Sequence, residues 1–410
     1  MAGFFADVTP LRVSRPYRRL WAGSTVAQLG QQMAAVAVAL QVYAITGSSF
    51  AVGMVGLAAL GPLVVFGLYG GSIADAHDRR RVLLVASLGL WMCSMALFVQ
   101  AWLGLANVWV LYLVVAVQSG FFAVSNPARS AIIPRLVGAR LLPAANALTT
   151  ASWTLGFTVG PLMAGLLVGA YGYATTFAVD VLTFTAALYA VARLPSVPPE
   201  GEVSRAGLRS VLEGLRFLRT RRNLLMTFLV DLAAMVLAQP RALFPALAVS
   251  VYGGGPSTVG LLSAAPAFGA FAGAIFSGWV GRVRRQGRMI VLMVMAYGAA
   301  VAGFGLSSTL WLGVVFLALS GAFDTVSAVF RTTILQVATP DDLRGRLQGV
   351  FIVVVAGGPR LGDAVSGTSA TVFGTRFAVV AGGVACIGAV SLLAARFPAF
   401  LRYDAENPVP

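Results

Sequence analysis

Six ionisable residues stand inside otherwise apolar runs of this chain: Asp180, Asp231, Arg241, Asp324, Arg360 and Asp363. If those runs cross a membrane, each charge costs about 2.5–3.5 kcal/mol at mid-helix and needs a compensating role. Arg360 and Asp363 are three residues apart, which puts them on neighbouring faces of one helix and within pairing reach. Two chemistries fit. The pair can be purely structural, each charge neutralising the other. Alternatively, Asp363 or Asp324 exchanges a proton while an arginine holds a polar or anionic ligand, so that ligand and proton compete for one site. Arg241 follows Gln239-Pro240, where proline weakens a helix and can open a cavity; it is a candidate ligand contact. Gln28, Gln31, Gln32 and Gln41 in the first apolar run can bond a ligand or fasten helices together. Asp180 and Asp231 read as structural or boundary residues.

The elements that carry these residues are membrane spans. Apolar residues make up 58% of the chain and charged ones 10%, against roughly 45–50% and 25% in a soluble domain. Continuous runs of about 20 apolar residues recur, long enough to cross as helices, whereas barrel strands would alternate. Twelve spans are expected, at about 20–44, 50–73, 82–104, 107–131, 143–170, 172–194, 223–251, 256–281, 288–309, 311–337, 345–373 and 375–397. A rise of about 1.5 Å per residue places Asp324, Arg360 and Asp363 near mid-membrane. Arg241 falls towards the outer side and Asp231 towards the cytoplasm.

The net charge of +15 does not point to nucleic acid. All basic residues are arginine, and they gather in alternate connections: Arg12 to Arg19, Arg79 to Arg81, Arg135 and Arg140, Arg282 to Arg288, and Arg344 with Arg346. That is the positive-inside pattern, and it puts both termini in the cytoplasm. Cys93 and Cys386 lie in apolar runs, and His77 is the lone histidine, so neither a disulfide framework nor a metal or cofactor site is expected. No nucleophile–base pair or phosphate loop suggests an enzyme.

The chain repeats itself. Gly156, Gly160 and Gly165 recur 202 residues later as Gly358, Gly362 and Gly367, and Arg129 falls on Arg331. Val52-Gly53 and Gly71 fall on Val259-Gly260 and Gly278 at an offset of 207. Self-similarity at half the chain length implies a duplicated unit. The expected organisation is a six-helix half at 1–194, a linker at 195–222, a second half at 223–397 and a tail at 398–410. The linker carries Leu208, Val211, Leu212, Leu215 and Leu218 at helical spacing among arginines, which suits an amphipathic helix at the membrane surface.

Gly71-Ser-Ile-Ala-Asp75-Ala-His-Asp-Arg79-Arg80-Arg81 resembles the loop signature of the major facilitator superfamily. The resemblance implies an all-α membrane protein of twelve transmembrane helices in two pseudo-symmetric six-helix halves. It also implies that Gly71, Asp75, Arg79 and Arg80 latch the halves in one alternating state, Gly71 by allowing close helix approach. Asp78 stands where the family has a second glycine. Gly156, Gly160, Pro161 and Gly165 resemble the superfamily's antiporter motif, in which Pro161 would bend the helix. Asn126-Pro-Ala-Arg129-Ser-Ala is similar to a branch holding enterobactin (siderophore) exporters and macrolide-efflux-like drug exporters. The arginine that many drug antiporters carry in the fourth span is absent near Gln118-Ser-Gly120.

The expectation is therefore a secondary active transporter of the cytoplasmic membrane. It would export a small amphipathic compound in exchange for protons, without cofactor, metal or nucleic acid, and work as a monomer in the lipid bilayer. Asp363 and Asp324 would couple protons, and Arg241, Arg360, Gln31 and Gln28 would hold substrate. Uptake of a small nutrient on the same fold is the alternative.

Overall fold

The computed structural model describes residues 7–198, 216–338 and 344–404, with side chains for these apart from residues 72, 74, 75, 281, 338 and 344–353. Its long elements are helices, as hydrocarbon demands of any backbone that must satisfy its own polar groups. We number them α1 (Arg15–Thr46), α2 (Ser49–Ala76), α3 (Arg79–Trp102), α4 (Val108–Val137), α5 (Leu142–Ala192) and α6 (Arg222–Leu237). They continue as α7 (Phe244–Ser250), α8 (Pro256–Ile275), α9 (Gln286–Leu306), α10 (Leu310–Ala338), α11 (Arg344–Phe373) and α12 (Thr375–Arg396).

Among the described residues, ten stretches are long and apolar enough to cross a membrane. One of them, Ala139–Ala192, holds two spans, because Gly172 leaves helical geometry inside α5 at φ 78°. A side chain there would be strained, so glycine permits the reversal. The thirty-residue α11 is the remaining span, which brings the number to twelve. The fold is that of a twelve-helix major facilitator protein.

Span seven is not the single run expected over 223–251. Its helix stops at Leu237, resumes as a 3₁₀ turn at Arg241–Leu243 and continues as α7. Pro240 has no N–H to donate, and the interruption falls at this residue. The carbonyl of Ala238 accepts a hydrogen bond from the Tyr297 hydroxyl of α9 at 3.0 Å, so a neighbouring helix supplies a partner beside the break.

Packing divides the chain into two compact units, Met1–Gln41 with Ala58–Gly207, and Val42–Leu57 with Leu208–Pro410. The first turns of α2 thus pack with the second unit's helices. Most of the expected amphipathic linker helix, including Leu208 and Leu215, lies outside the described residues.

Each copy of the glycine pattern is a helix seam. A Cβ at Gly156 would lie 2.7 Å from Gln28 Cγ, and one at Gly160 would lie 2.7 Å from Gln32 Cβ and 3.0 Å from the Leu29 carbonyl. In the second copy, a Cβ at Gly362 would sit 2.0 Å from the Met235 carbonyl and 2.8 Å from Gln239 Cβ. The first seam therefore joins α5 to α1 and the second joins α11 to α6, at corresponding positions. Pro161 and Gly165 are buried along the first seam.

Candidate functional site

In the second unit, α6, α10, α11 and the 3₁₀ turn at Arg241–Leu243 carry five of the six intramembrane charges, and Arg331 of α10 pairs with two of them. It meets Asp231 of α6 and, at 3.2 Å, Asp324, which lies two turns earlier on the same face of α10. Side-chain exposure is 10% for Asp231 and 35% for Asp324, so the inner member of this three-residue cluster is Asp231. Of the two readings of Asp231, structural or boundary, the geometry fits the structural one: it is the buried counter-charge of Arg331. Asp324 is correspondingly committed to an ion pair.

Asp363 is placed differently. Its carboxylate faces the backbone N–H of Ala242 in the 3₁₀ turn, while Oδ1 is buried with no hydrogen-bond partner among the described residues. Arg241 and Arg360 both act on it electrostatically. The direct Arg360–Asp363 pair allowed by spacing is not formed among the described residues, since Arg360 Nη1 donates to the Ala356 carbonyl at 2.6 Å. Close approach of α2 fixes this stretch of α11: a Cβ at Gly53 would lie 2.4 Å from the Asp363 carbonyl, and one at Gly56 2.9 Å from that of Arg360.

The first unit holds a second polar place. A cavity of about 50 Å³ lies between α1, α4 and α5, lined by Ser24, Gln28, Arg129, Ser130, Trp153 and six further residues from these helices, together with Trp21. Gln28 is 5% exposed and its Nε2 is buried without a partner among the described residues, as is Nε of Arg129. Tyr17 and Trp21 frame the cavity by donating to the carbonyls of Ala145 at 3.0 Å and Leu148 at 3.1 Å.

A family described as transmembrane secretion effector matches residues 5–409. The chain belongs to this family. It is a multi-pass membrane transporter of the major facilitator superfamily. It is 30% identical over 366 residues to the enterobactin exporter EntS of Shigella boydii serotype 18, covering 88% of this chain and 86% of that one. The match to EntS of Escherichia coli O157:H7 has the same identity and coverage. Among solved structures, a peptide transporter POT superposes at a TM-score of 0.77 with 12% identity, over 98% of this chain and 97% of that one. A bacterial homologue of the iron transporter ferroportin superposes at 0.70 with 16% identity, over 94% and 98%.

The other residues singled out in this transmembrane secretion effector chain fall as follows. Gln31 is half-buried on α1. Gln41 forms a reciprocal amide pair with Gln100 of α3, at 3.1 and 2.9 Å, which is helix fastening. Close approach occurs at Gly70, where a Cβ would lie 2.9 Å from the Ala123 carbonyl. It does not occur at Gly71, which has open space among the described residues. Helix periodicity explains the correction, because adjacent residues point about 100° apart. The Asp75 side chain lies outside the described residues. Arg79 reaches the Ala131 carbonyl at 3.4 Å, and Arg80 that of Ala192 at 2.7 Å.

Asp78, which replaces the family's glycine, caps α3 by accepting from Arg80 N at 2.8 Å and also bonds Ser196 and the Val197 N–H. Burial would push this loop carboxyl up, but the bonds from Ser196, Val197, Arg80 and Arg81 outweigh it and hold the group below the ordinary aspartate value. Asp180, passed over as structural, is fully buried beside Ser94, with no hydrogen-bond partner for either oxygen among the described residues.

Proposed function

We propose that this transporter exports a small amphipathic compound, siderophore- or drug-like, across the cytoplasmic membrane in exchange for protons. Similarity to proteins named enterobactin exporters over most of both chains supports the direction and the cargo class. The arginine distribution supports cytoplasmic termini, and the duplication supports rocking of the halves 1–194 and 223–397 about a midplane site in a monomer. In that cycle the segment with Gly71, Asp75, Arg79 and Arg80 is the switching loop.

The observation that carries the coupling is the environment of Asp363. Leaving a charged carboxylate oxygen buried and unbonded is costly, and proton uptake removes that cost. Arg241, which opens the 3₁₀ turn, and Arg360, three residues before Asp363, stand as the cations an anionic cargo would engage. Asp324 is held by Arg331.

The test is transport by purified protein in proteoliposomes under an imposed pH gradient, with enterobactin as the first cargo. Asp363→Asn should abolish uphill movement while leaving downhill exchange, and Asp324→Asn should remain coupled. Gradient-driven pumping by Asp363→Asn would sink the assignment.

A further inference from the structure

The duplication shows what the cavity of the first unit lacks. Arg129 and Arg331 correspond at the 202-residue offset, and the second copy surrounds its arginine with two carboxylates, Asp231 and Asp324. At the 207-residue offset that relates α1 to α6, Asp231 corresponds to Ser24; at 202, Asp324 corresponds to Phe122. Neither replacement carries charge. Arg129 is left without an acidic partner among the described residues, and Ser24 lines the cavity in front of it.

We infer that this cavity is a subsite for a carboxylate or similar planar oxyanion of the cargo, which takes the place that Asp231 holds in the other copy. Guanidinium presents a planar fork that matches such a group bidentately. Gln28 supplies an unused buried amide donor beside it, and the hydroxyls of Ser24 and Ser130 complete a donor-rich wall. Size limits the occupant. About 50 Å³ holds a few waters or a carboxylate-sized group, so the body of the cargo stays outside. Trp153 lines the same cavity, stacked on Phe157 with centroids 5.9 Å apart and in edge contact with Phe122 at 6.1 Å. That aromatic wall favours an oxyanion borne on a ring. In the second copy Val355 stands at the Trp153 position, so the wall belongs to the first copy alone.

The inference deepens the export reading by naming the substrate class, and it rests on that reading only for calling the ligand cargo. The experiment is binding of benzoate to the full-length protein in nanodiscs, followed by tryptophan fluorescence and calorimetry, with Arg129→Gln and Ser24→Asp compared. Benzoate should bind the wild type. Arg129→Gln should weaken it roughly tenfold to a hundredfold, the loss of a charge-assisted bidentate contact. Ser24→Asp should weaken it as much while leaving thermal stability equal or higher, because it installs the other copy's own counter-charge; Ser24→Asn should not. If Arg129→Gln fails to fold, Ser24→Asp alone decides. Absence of benzoate binding to the wild type, or binding undiminished in Ser24→Asp, overturns the subsite. Direction is read separately: a benzoate site in a protein that accumulates cargo inwards refutes export alone, and efflux without a benzoate site refutes the subsite alone.

Discussion

Arg129 and Arg331 descend from one duplicated position, yet one faces a cavity and the other is clasped by two aspartates. The contrast separates two uses of a buried cation. An arginine between its own carboxylates is neutralised at all times and ties α6 to α10. An arginine without them keeps its binding capacity for something that comes and goes. The glycine seams make the same distinction in milder form. Both let helices touch, but the second is tighter and carries Arg360 and Asp363 where the first carries Thr158 and Pro161.

The comparison breaks hardest at Asp231. Asp231→Ser gives the second copy the residue of the first, and leaving Arg331 with the half-exposed Asp324 alone should cost about 3 kcal/mol or more. Thermal unfolding in detergent checks this, and an unchanged midpoint would mean that Asp231 is not the principal partner. Asp324→Asn should cost less, since its side chain is 35% exposed and solvent screens the pair.

A smaller effect sharpens the seams. Gly362→Ala drives a methyl into a backbone carbonyl, which cannot yield, and should destabilise by about 1–3 kcal/mol. Gly160→Ala meets the Gln32 side chain most closely and should cost less; equal losses would refute the asymmetry.

The smallest effect lies at the loops. Asp78 caps α3, whereas its counterpart at the 207 offset, Arg285, opens α9 with no side-chain cap. Asp78→Ala should lose about 1 kcal/mol and Arg285→Ala almost nothing. Because the folded Asp78 carboxyl titrates below its unfolded value, its contribution is present above the ordinary aspartate pKa and lost as pH falls through the lower folded one. The difference between wild type and Asp78→Ala should therefore narrow in acid.

Span number, the duplication and the charges that needed explaining were all legible in the sequence. Each rests on a one-dimensional signal: run length, spacing, or a charge among apolar neighbours. Gly172 announced the turn inside α5 in the same way, whereas span seven reads as one run although Pro240 weakens it. Missed were the identity of Arg331 as the hub of the cluster and the place of Arg129 on a cavity. The offset alignment had paired them, and that pairing was the available signal.

What the sequence by itself determined is therefore a duplicated twelve-span transporter with most of its membrane charge in the second half. Only the tertiary structure decided which of those charges meet. Lipid is as apolar as a helix seam, so a span's sequence does not say which face turns inwards. Asp231 finds Arg331 across 100 residues, and Gln28 and Arg129 converge on one cavity from different helices. Among the described residues Asp363 keeps an unpartnered oxygen, because Arg360, three residues away, turns to the Ala356 carbonyl instead.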